Sequence, residues 1–340
     1  MWFKKSSEQI KQTHVTELLD NISSNGVELS IDELLQYQQK SSLIDLTANK
    51  SLHGQLSGNY LARSKGRGME FDEVRHYQTG DDIRAIDWRV TARTGKTHTK
   101  LFREEIERPV LIATDLSNSM QFGSQLLFKS VQAAHIAALI AWHAKNRGDR
   151  IGGIVFNQHK HTELKPRSRK TGVLHYLHAL IKLQQQALNS FTASNPNHEE
   201  NTTNANTFFE LNCARLRQLA RPGSLVYLIS DGLQLNQETT RHLSHISRHC
   251  ELVIIKVHDP LELELPSVNN KINVVIAHGK HRQQLTLGDK KTIKDYQQCA
   301  HLLAKQQQHL LAKTGARVLN FSASSSIEQQ LKQGASAWTR

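Results

Sequence analysis

Short apolar runs alternate with amphipathic stretches along most of the chain. The apolar runs are rich in β-branched and aliphatic residues and lie at 110–114, 151–156, 225–229, 251–257 and 317–321. Runs of this length and make-up are typical of strands that are buried on both faces of a parallel sheet. The amphipathic stretches carry apolar residues at helical spacing and lie at 125–145, 173–183, 208–219, 237–248 and 296–312. The alternation predicts an α/β fold with a doubly wound, mostly parallel sheet flanked by helices.

The composition divides the chain into segments around this α/β domain, which we place at 109–322. Residues 1–53 are polar and Gln-rich, with a capping box at Ser30–Glu33 that predicts one short helix, and we expect an N-terminal extension outside the core. Residues 54–108 form a second segment, which we expect to pack on the core. The stretch 189–206 is too poor in apolar residues to hold itself rigid and predicts a mobile insertion. Residues 323–340 are expected to be a C-terminal tail.

Three smaller patterns complete the predicted elements. A run at 162–164 predicts an edge strand stopped by Pro166, and residues 272–277 and 283–287 predict a hairpin. Cys213, Cys250 and Cys299 are odd in number and widely spaced, which favours reduced thiols over a disulfide framework or a zinc site.

The charge balance bears on the choice of partners. Lys and Arg number 43 against 31 Asp and Glu, a net charge of +12 that attracts polyanions. Aromatic residues make up only 6% of the chain, and no nucleic-acid-binding signature occurs, so a stacking platform is poorly supplied. Binding of nucleic acid by a basic surface is therefore kept only as an alternative function.

Hydropathy bears on location. No uninterrupted apolar stretch approaches the roughly 20 residues that span a bilayer, and the opening residues 1–5 are not followed by the apolar region of a signal peptide. We therefore expect a cytoplasmic protein without a membrane span.

The candidate chemistry lies where the run at 110–114 ends. Asp115 is followed by Ser117 and Ser119, and ligands gather at the carboxyl ends of parallel strands. One carboxylate and two hydroxyls on a tight loop suit a hard cation such as Mg²⁺. Asp231 follows the run at 225–229 in the same way. The alternative for Asp115 is a helix N-cap, because Asp and Ser are also what a strand-to-helix turn needs.

Charges of both signs alternate in the stretch 75–93, among apolar residues. The ionisable residues are Arg75, Asp81, Asp82, Arg84, Asp87, Arg89 and Arg93, and the interleaved ones are Tyr77, Ile83, Ile86, Trp88 and Val90. This pattern is compatible with a docking surface or a brace for the metal loop. An internal ion-pair network is the favoured interpretation, because such a network needs no ligand.

Two of these motifs resemble known families. Residues 115–119, D-x-S-x-S, resemble the metal-ion-dependent adhesion site of von Willebrand factor A domains. Residues 75–89, RHYQTGDDIRAIDWR, followed by Ala92 and Arg93, resemble the signature of the domain of unknown function 58 family, and residues 229–231 and 259–262 match it too. The likeness runs from about residue 54 to 321. The signature residues are Arg75, Tyr77, Gly80, Asp81, Asp82, Arg84, Asp87, Trp88 and Arg93.

The resemblance implies a von Willebrand A-like domain that acts with a MoxR-type AAA+ ATPase as a co-chaperone-like module. In that pattern the hydroxyls of Ser117 and Ser119 bind Mg²⁺ or Mn²⁺ directly, and Asp115 and Asp231 contribute directly or through water. A Thr from a second loop joins them: Thr207 occupies the matching place, and the alternatives are Thr202, Thr203 and Thr171. A position on the metal is left for a partner's carboxylate.

Enzymatic functions fit these residues less well. Aspartyl-phosphate phosphatases need a second acid two residues after the first, and this chain has Ser117 there. A serine hydrolase needs a nucleophile flanked by glycines, which Ser117 and Ser119 lack, and no Walker A sequence occurs. We therefore predict a non-enzymatic interaction module that binds a divalent cation and docks to a MoxR-type AAA+ ATPase or its client. A metal-dependent phosphohydrolase is the least favoured alternative.

Overall fold

The computed structural model describes residues 15–43, 69–104, 107–193, 202–266, 268, 271–278 and 281–333. The chain forms two compact units. The larger unit comprises Met1–Ser51 and Arg108–Arg340, and the smaller unit comprises Leu52–Glu107, against the segment 54–108 expected from the sequence. The expected packing of this segment on the core stays a prediction.

The larger unit is built on a six-stranded sheet in the order β10-β7-β6-β3-β4-β5. The bounds of these strands are β3 Pro109–Asp115, β4 Arg150–Phe156, β5 His161–Arg167, β6 Leu225–Ser230, β7 Glu251–His258 and β10 Arg317–Ser322. Every neighbouring pair is parallel except β4 and β5. The chain winds outward from β3 in both directions, so the predicted doubly wound, mostly parallel sheet is confirmed.

The predicted edge strand is present as β5, although it does not stop at Pro166. Pro166 lies inside β5, where a residue without an N–H is tolerated because the strand is at the edge of the sheet. Gly153 of β4 has a φ of 143°, and a Cβ there would meet the carbonyl oxygen of Ile112 at 2.0 Å. A glycine is therefore needed for β4 to lie beside β3 at this point.

Helices cover both faces of the sheet. In chain order they are α1 Ile31–Leu35, α2 Tyr37–Lys40, α4 Lys129–Asn146, α5 Arg169–Ala193, α6 Thr202–Leu219, α7 Gln237–His249, α8 Lys290–Ala312 and α9 Ile327–Gln333; α3 belongs to the smaller unit and is given below. One face is covered by a core that includes α4 and α5, and the opposite face packs against Phe209 of α6 and Leu243 of α7. Such two-sided cover explains why β6 is buried along its whole length.

The described part of the N-terminal segment, residues 15–43, contributes to this core, so the expectation that this part lies outside it is wrong. Leu34 of α1 and Tyr37 of α2 are buried, and the capping box at Ser30 is confirmed. The Nε2 atom of His135 on α4 lies 2.5 Å from Oε1 of Glu33, and both side chains are 1% exposed. The reason lies in α4, which is apolar nearly all round and needs cover on its outer side.

The helix bounds also correct the predicted insertion and tail. Helix α5 runs to Ala193 and α6 begins at Thr202, so both ends of the stretch 189–206 are helical and the predicted loop is too long. Residues 194–201 lie outside the described residues. The predicted tail contains α9, whose Ile327 and Leu331 are buried in the core. Helix α4 begins at Lys129 rather than 125, and α8 begins at Lys290, capped by Asp289.

The larger unit also carries the predicted hairpin, formed by β8 Ile272–His278 and antiparallel β9 His281–Leu287. The three cysteines are free thiols, and Cys213 and Cys250 are buried. Among the helices that the structure describes, none is long and apolar enough to cross a membrane.

The smaller unit is an antiparallel pair of strands with a short helix. The strands are β1 Met69–His76 and β2 His98–Glu104, and the helix is α3 Trp88–Thr94. Asp87 caps the amino end of α3 by accepting hydrogen bonds from two backbone N–H groups, and Gly95 ends the helix in the left-handed conformation with a φ of 69°. Local capping signals therefore set both ends of α3.

Candidate functional site

The candidate site lies at the carboxyl ends of β3 and β6. These strands are adjacent and parallel, with Thr114 opposite Ile229, so the residues that follow them emerge at the same edge of the sheet. The hydroxyl group of Ser230 donates a hydrogen bond to Oδ2 of Asp115 over 2.8 Å. The structure therefore brings the two predicted loops together.

The loop after β3 holds its polar groups in a compact turn. Asp115 has no exposed surface, and its Oδ1 accepts a hydrogen bond from the backbone N–H of Ser117 at 2.9 Å. A single 3₁₀ turn, Asn118–Met120, follows. The hydroxyl oxygens of Ser117 and Ser119 lie 3.3 Å apart, and Nε2 of Gln234 donates to the Ser117 hydroxyl at 3.1 Å. Both hydroxyls therefore lie in one small polar region.

The alternative role of Asp115 as a helix N-cap does not fit this geometry. The next long helix, α4, begins fourteen residues later, and its N-cap is Phe128 without a side-chain hydrogen bond. Asp115 instead bonds within its own turn and to the neighbouring strand end. Its placement is not explained by the needs of a strand-to-helix connection.

Asp231, at the second strand end, is also buried and has a cationic partner. Its Oδ1 accepts from the backbone N–H of Leu233 at 3.0 Å, and its Oδ2 accepts from Nζ of Lys129 at 2.9 Å. Lys129 also donates to Oε1 of Glu262 at 2.5 Å. Lys129 was not singled out from the sequence. The helix was predicted from residue 125, so Lys129 fell outside its first turn, where the helix dipole would have marked a lysine as unusual.

A turn after β7 fixes the loop that leads to Lys129. Asp259 accepts hydrogen bonds from the backbone N–H of Ser124 at 2.8 Å and from its hydroxyl at 2.5 Å. The backbone N–H of Asp259 in turn donates to Oε2 of Glu262 at 3.1 Å. The D-P-L-E sequence at 259–262, noted above only as a family match, therefore holds two parts of the site in place.

Burial and charge shift two pKa values in the site. Burial, together with the charge of Asp231, raises the pKa of Asp115 to about 6. Burial disfavours the charged form of Lys129, but the carboxylates of Asp231 and Glu262 outweigh that effect and raise the pKa of the ammonium group above its ordinary value. Lys129 is therefore a cation at neutral pH, and Asp115 is the carboxylate that lacks an ammonium partner.

The donor set fits a hard divalent cation. Two carboxylates from adjacent strand ends and two hydroxyls supply oxygen ligands of the kind that Mg²⁺ and Mn²⁺ prefer. The Asp115 carboxylate accepts hydrogen bonds from the backbone N–H and the side chain of Ser117 and from the Ser230 hydroxyl, and its two oxygens offer about four lone-pair sites. Across the described part of the chain, no group of three or more His, Cys, Asp or Glu residues is placed to bind a metal.

The threonine candidates are placed differently from the expectation. Thr207 is the sixth residue of α6, and not the residue before the helix, because α6 begins at Thr202. Its side chain is exposed, and Thr202 and Thr203 occupy the first turn of the same helix. Thr171 lies in the first turn of α5 and donates to the carbonyl oxygen of Ser168 at 3.2 Å. Which threonine completes a metal site stays a prediction.

The signature residues 75–93 use their carboxylates locally. Arg75 pairs with Asp81 at 2.7 Å, and the Tyr77 hydroxyl donates to the carbonyl oxygen of Asp81 at 3.2 Å. Asp82 accepts from the backbone N–H of Arg84, and Asp87 caps α3 and lies 3.7 Å from Lys100. The ion pairs described in this stretch, Arg75–Asp81 and Asp87–Lys100, both lie within the smaller unit, so an internal network that fixes this segment to the sheet stays a prediction.

Three other signature residues are exposed, and Gly80 has a backbone conformation suited to glycine. Gly80 has a φ of 107°, which favours glycine. Arg84 and Arg93 are exposed, and the Trp88 side chain is 66% exposed. A docking role for these exposed residues stays a prediction.

Comparison with known proteins gives the family. The model of the family described as "Protein of unknown function DUF58" matches residues 73–307, more than half of the chain. The chain belongs to the DUF58 family. The match covers the signature stretch and all five candidate metal ligands, so these residues lie within the part that this DUF58 chain shares with its family.

Its curated relatives include Uncharacterized protein Rv1480 of Mycobacterium tuberculosis (strain ATCC 25618 / H37Rv) and Uncharacterized protein Mb1516 of Mycobacterium bovis. Each is 30% identical to this DUF58 chain over 232 residues, which is 67% of this chain and 67% of the relative.

Three solved structures are also similar. The conserved hypothetical protein BatB from Bacteroides thetaiotaomicron has 12% identity and a TM-score of 0.35, over 68% of this chain and 98% of that one. An aerotolerance-related membrane protein from Bacteroides fragilis has 14% identity and a TM-score of 0.34, over 66% of this chain and 97% of that one. A von Willebrand factor type A protein from Catenulispora acidiphila has 11% identity and a TM-score of 0.29, over 64% of this chain and 44% of that one. These values are too low to carry an argument about what the DUF58 chain does.

Proposed function

We propose that this DUF58 protein is a non-enzymatic interaction module that binds Mg²⁺ or Mn²⁺ and docks to an acidic group of a partner through that cation. The observation that carries the proposal is the meeting of the D-x-S-x-S loop with the end of β6 at one edge of the sheet. Asp115, Ser117, Ser119 and Asp231 are the ligands, with Thr207 as the expected fifth.

The electrostatics of the site support a cation. Asp115 is fully buried beside a second carboxylate, and its pKa is raised first by burial and then by repulsion from Asp231. A divalent cation between the two loops would remove this repulsion. Because its protein ligands would include only two carboxylates, the cation would keep a position for a carboxylate from a partner.

The surroundings of the hydroxyls support binding over catalysis. The Ser117 hydroxyl lies beside the Ser119 hydroxyl and Nε2 of Gln234, and its side chain also hydrogen-bonds to the Asp115 carboxylate. Serine nucleophiles are typically activated by an adjacent base such as His, and none of these three partners is a histidine. These contacts support a ligand set.

The partner that we propose is a MoxR-type AAA+ ATPase or its client, as the family resemblance implies. The test is capture of the purified ATPase by the full-length chain in magnesium and in chelator. We expect capture in magnesium, loss in chelator and loss with Asp115→Ala. Asp149→Asn is the matched control, because Asp149 is a buried carboxylate at the amino end of β4, away from the carboxyl ends that carry the site. We expect this variant to capture the ATPase as the unaltered chain does.

The same experiment separates the alternative function. Binding of nucleic acid by the basic surface would be insensitive to chelator and would weaken steeply with salt. Capture of the ATPase that persists in chelator, or that Asp115→Ala leaves unchanged, would contradict metal-bridged docking.

A further inference from the structure

Lys129 is the most unusual group near the proposed metal site. It is the first residue of α4, where the positive end of the helix dipole disfavours a cation, and its side chain is only 1% exposed. A buried ammonium at this place is stable only if it is paired. Its two partners are Asp231 at 2.9 Å, also 1% exposed, and Glu262 at 2.5 Å, which is 30% exposed.

The carboxylates that pair with Lys129 come from two strand ends. Asp231 directly follows β6 and Glu262 lies four residues after β7, whereas Asp115, the last residue of β3, interacts with Asp231. A second lysine, Lys256 of β7, is half-buried nearby, and its Nζ donates to the amide oxygen of Gln307. Lys129 therefore pairs directly with the carboxylates, whereas the recorded hydrogen bond of Lys256 is to a neutral amide.

We propose that Lys129 is a resident cation of the site, which holds Asp231 in place without a metal and competes with a divalent cation for that carboxylate. Its charge keeps the metal affinity of the chain low until a partner's carboxylate adds a further ligand. The part of this proposal that concerns metal affinity rests on the proposed function.

The geometry makes the competition physically possible. If a metal draws the Asp231 carboxylate toward Asp115, Lys129 still has Glu262 as a partner and is not left as an unpaired buried charge. Glu262 is itself held by the backbone N–H of Asp259, so this second partner is fixed in position. Lys129 can therefore pair with both carboxylates when no metal is bound, and with Glu262 alone when a metal holds Asp231.

The role of Lys129 without metal is tested by thermal unfolding of the full-length chain in chelator. We expect Lys129→Met to lower the Tm by roughly 6 to 20 °C, because it leaves Asp231 as a buried, unpaired charge. Adding Asp231→Asn should restore a large part of that loss, so that the two substitutions are strongly non-additive. Lys256→Met, the matched control, should lower the Tm less. Additive effects of the Lys129 and Asp231 substitutions would overturn the pairing role.

The competition is tested by titration with Mn²⁺ alone. We expect Lys129→Met to bind Mn²⁺ at least about tenfold more tightly than the unaltered chain, because a like charge has been removed beside the ligands. Mn²⁺ should also recover most of the Tm that this variant loses. Glu262→Gln should have the opposite effect and weaken Mn²⁺ binding, since Lys129 is then held by Asp231 alone. This second variant keeps the test open if Lys129→Met does not fold.

The outcomes separate the two proposals. Equal or weaker Mn²⁺ binding by Lys129→Met, or unchanged binding by Glu262→Gln, overturns the competition and leaves the proposed metal site standing. Absence of Mn²⁺ binding in the unaltered chain and in both variants overturns the proposed function together with the competition. The measurements in chelator decide the pairing role in either case.

Discussion

At the scale of single residues, Asp115 shows how a buried site differs from its sequence pattern. The spacing of Asp115, Ser117 and Ser119 is local, and the position of Asp231 after a second apolar run could also be found in the sequence. Lys129 could not be assigned to the site in this way, because its partners are 102 and 133 residues away. Pairing over such distances depends on which strand ends meet, which a pattern of apolar runs does not specify.

The raised pKa of Asp115 makes the stability of the metal-free chain depend on pH. A carboxyl group whose pKa is higher in the folded than in the unfolded chain destabilises the fold as it ionises. The cost begins near the ordinary value of 3.8 and is complete above about 6. A shift of about two pKa units corresponds to roughly 3 kcal/mol at pH 7.

We therefore expect Asp115→Asn to gain stability relative to the unaltered chain as the pH rises from 4 to 7 in chelator. Denaturant unfolding at several pH values measures this difference, with Asp149→Asn as a second buried carboxylate for comparison. A difference between Asp115→Asn and the unaltered chain that stays constant across this range would show that Asp115 does not carry the expected charge repulsion.

At the scale of elements, the strands and the doubly wound, mostly parallel class of the sheet followed from the apolar runs, but the packing of the N-terminal helices on the core did not. Helix α1 has five residues, too few for its periodicity to show a buried face. The better signal lay in α4, which is rich in Ala and apolar on nearly all sides and therefore had to be covered by something besides the sheet. That cover is α1 and α2, through Leu34 and Tyr37.

This packing predicts a large effect of Leu34→Ala. Leu34 has no exposed surface, and removal of a fully buried leucine side chain costs about 2–5 kcal/mol of unfolding free energy. Leu43→Ala is the matched control, because Leu43 is 41% exposed and should cost much less. Urea unfolding of both variants makes the comparison. Equal effects would mean that the segment does not belong to the core.

At the scale of the whole molecule, the order of the strands brings the chemistry together. The sheet winds outward from β3, so β6 becomes the direct parallel neighbour of β3 although more than a hundred residues separate them. The sequence predicted this sheet because each strand is a separate apolar run. It did not predict how long α5 and α6 are, because the polar residues around 189–206 give no sign of where each helix ends.

The central claim is that oxygen atoms from two strand ends bind one divalent cation. Calorimetric titration of the full-length chain with Mn²⁺ tests it most directly, alongside Asp115→Ala and the control Asp149→Asn. We expect saturable heat at one site per chain in the unaltered protein and in the control, and none in Asp115→Ala. Heat that Asp115→Ala leaves unchanged, or no heat in the unaltered chain, would contradict it.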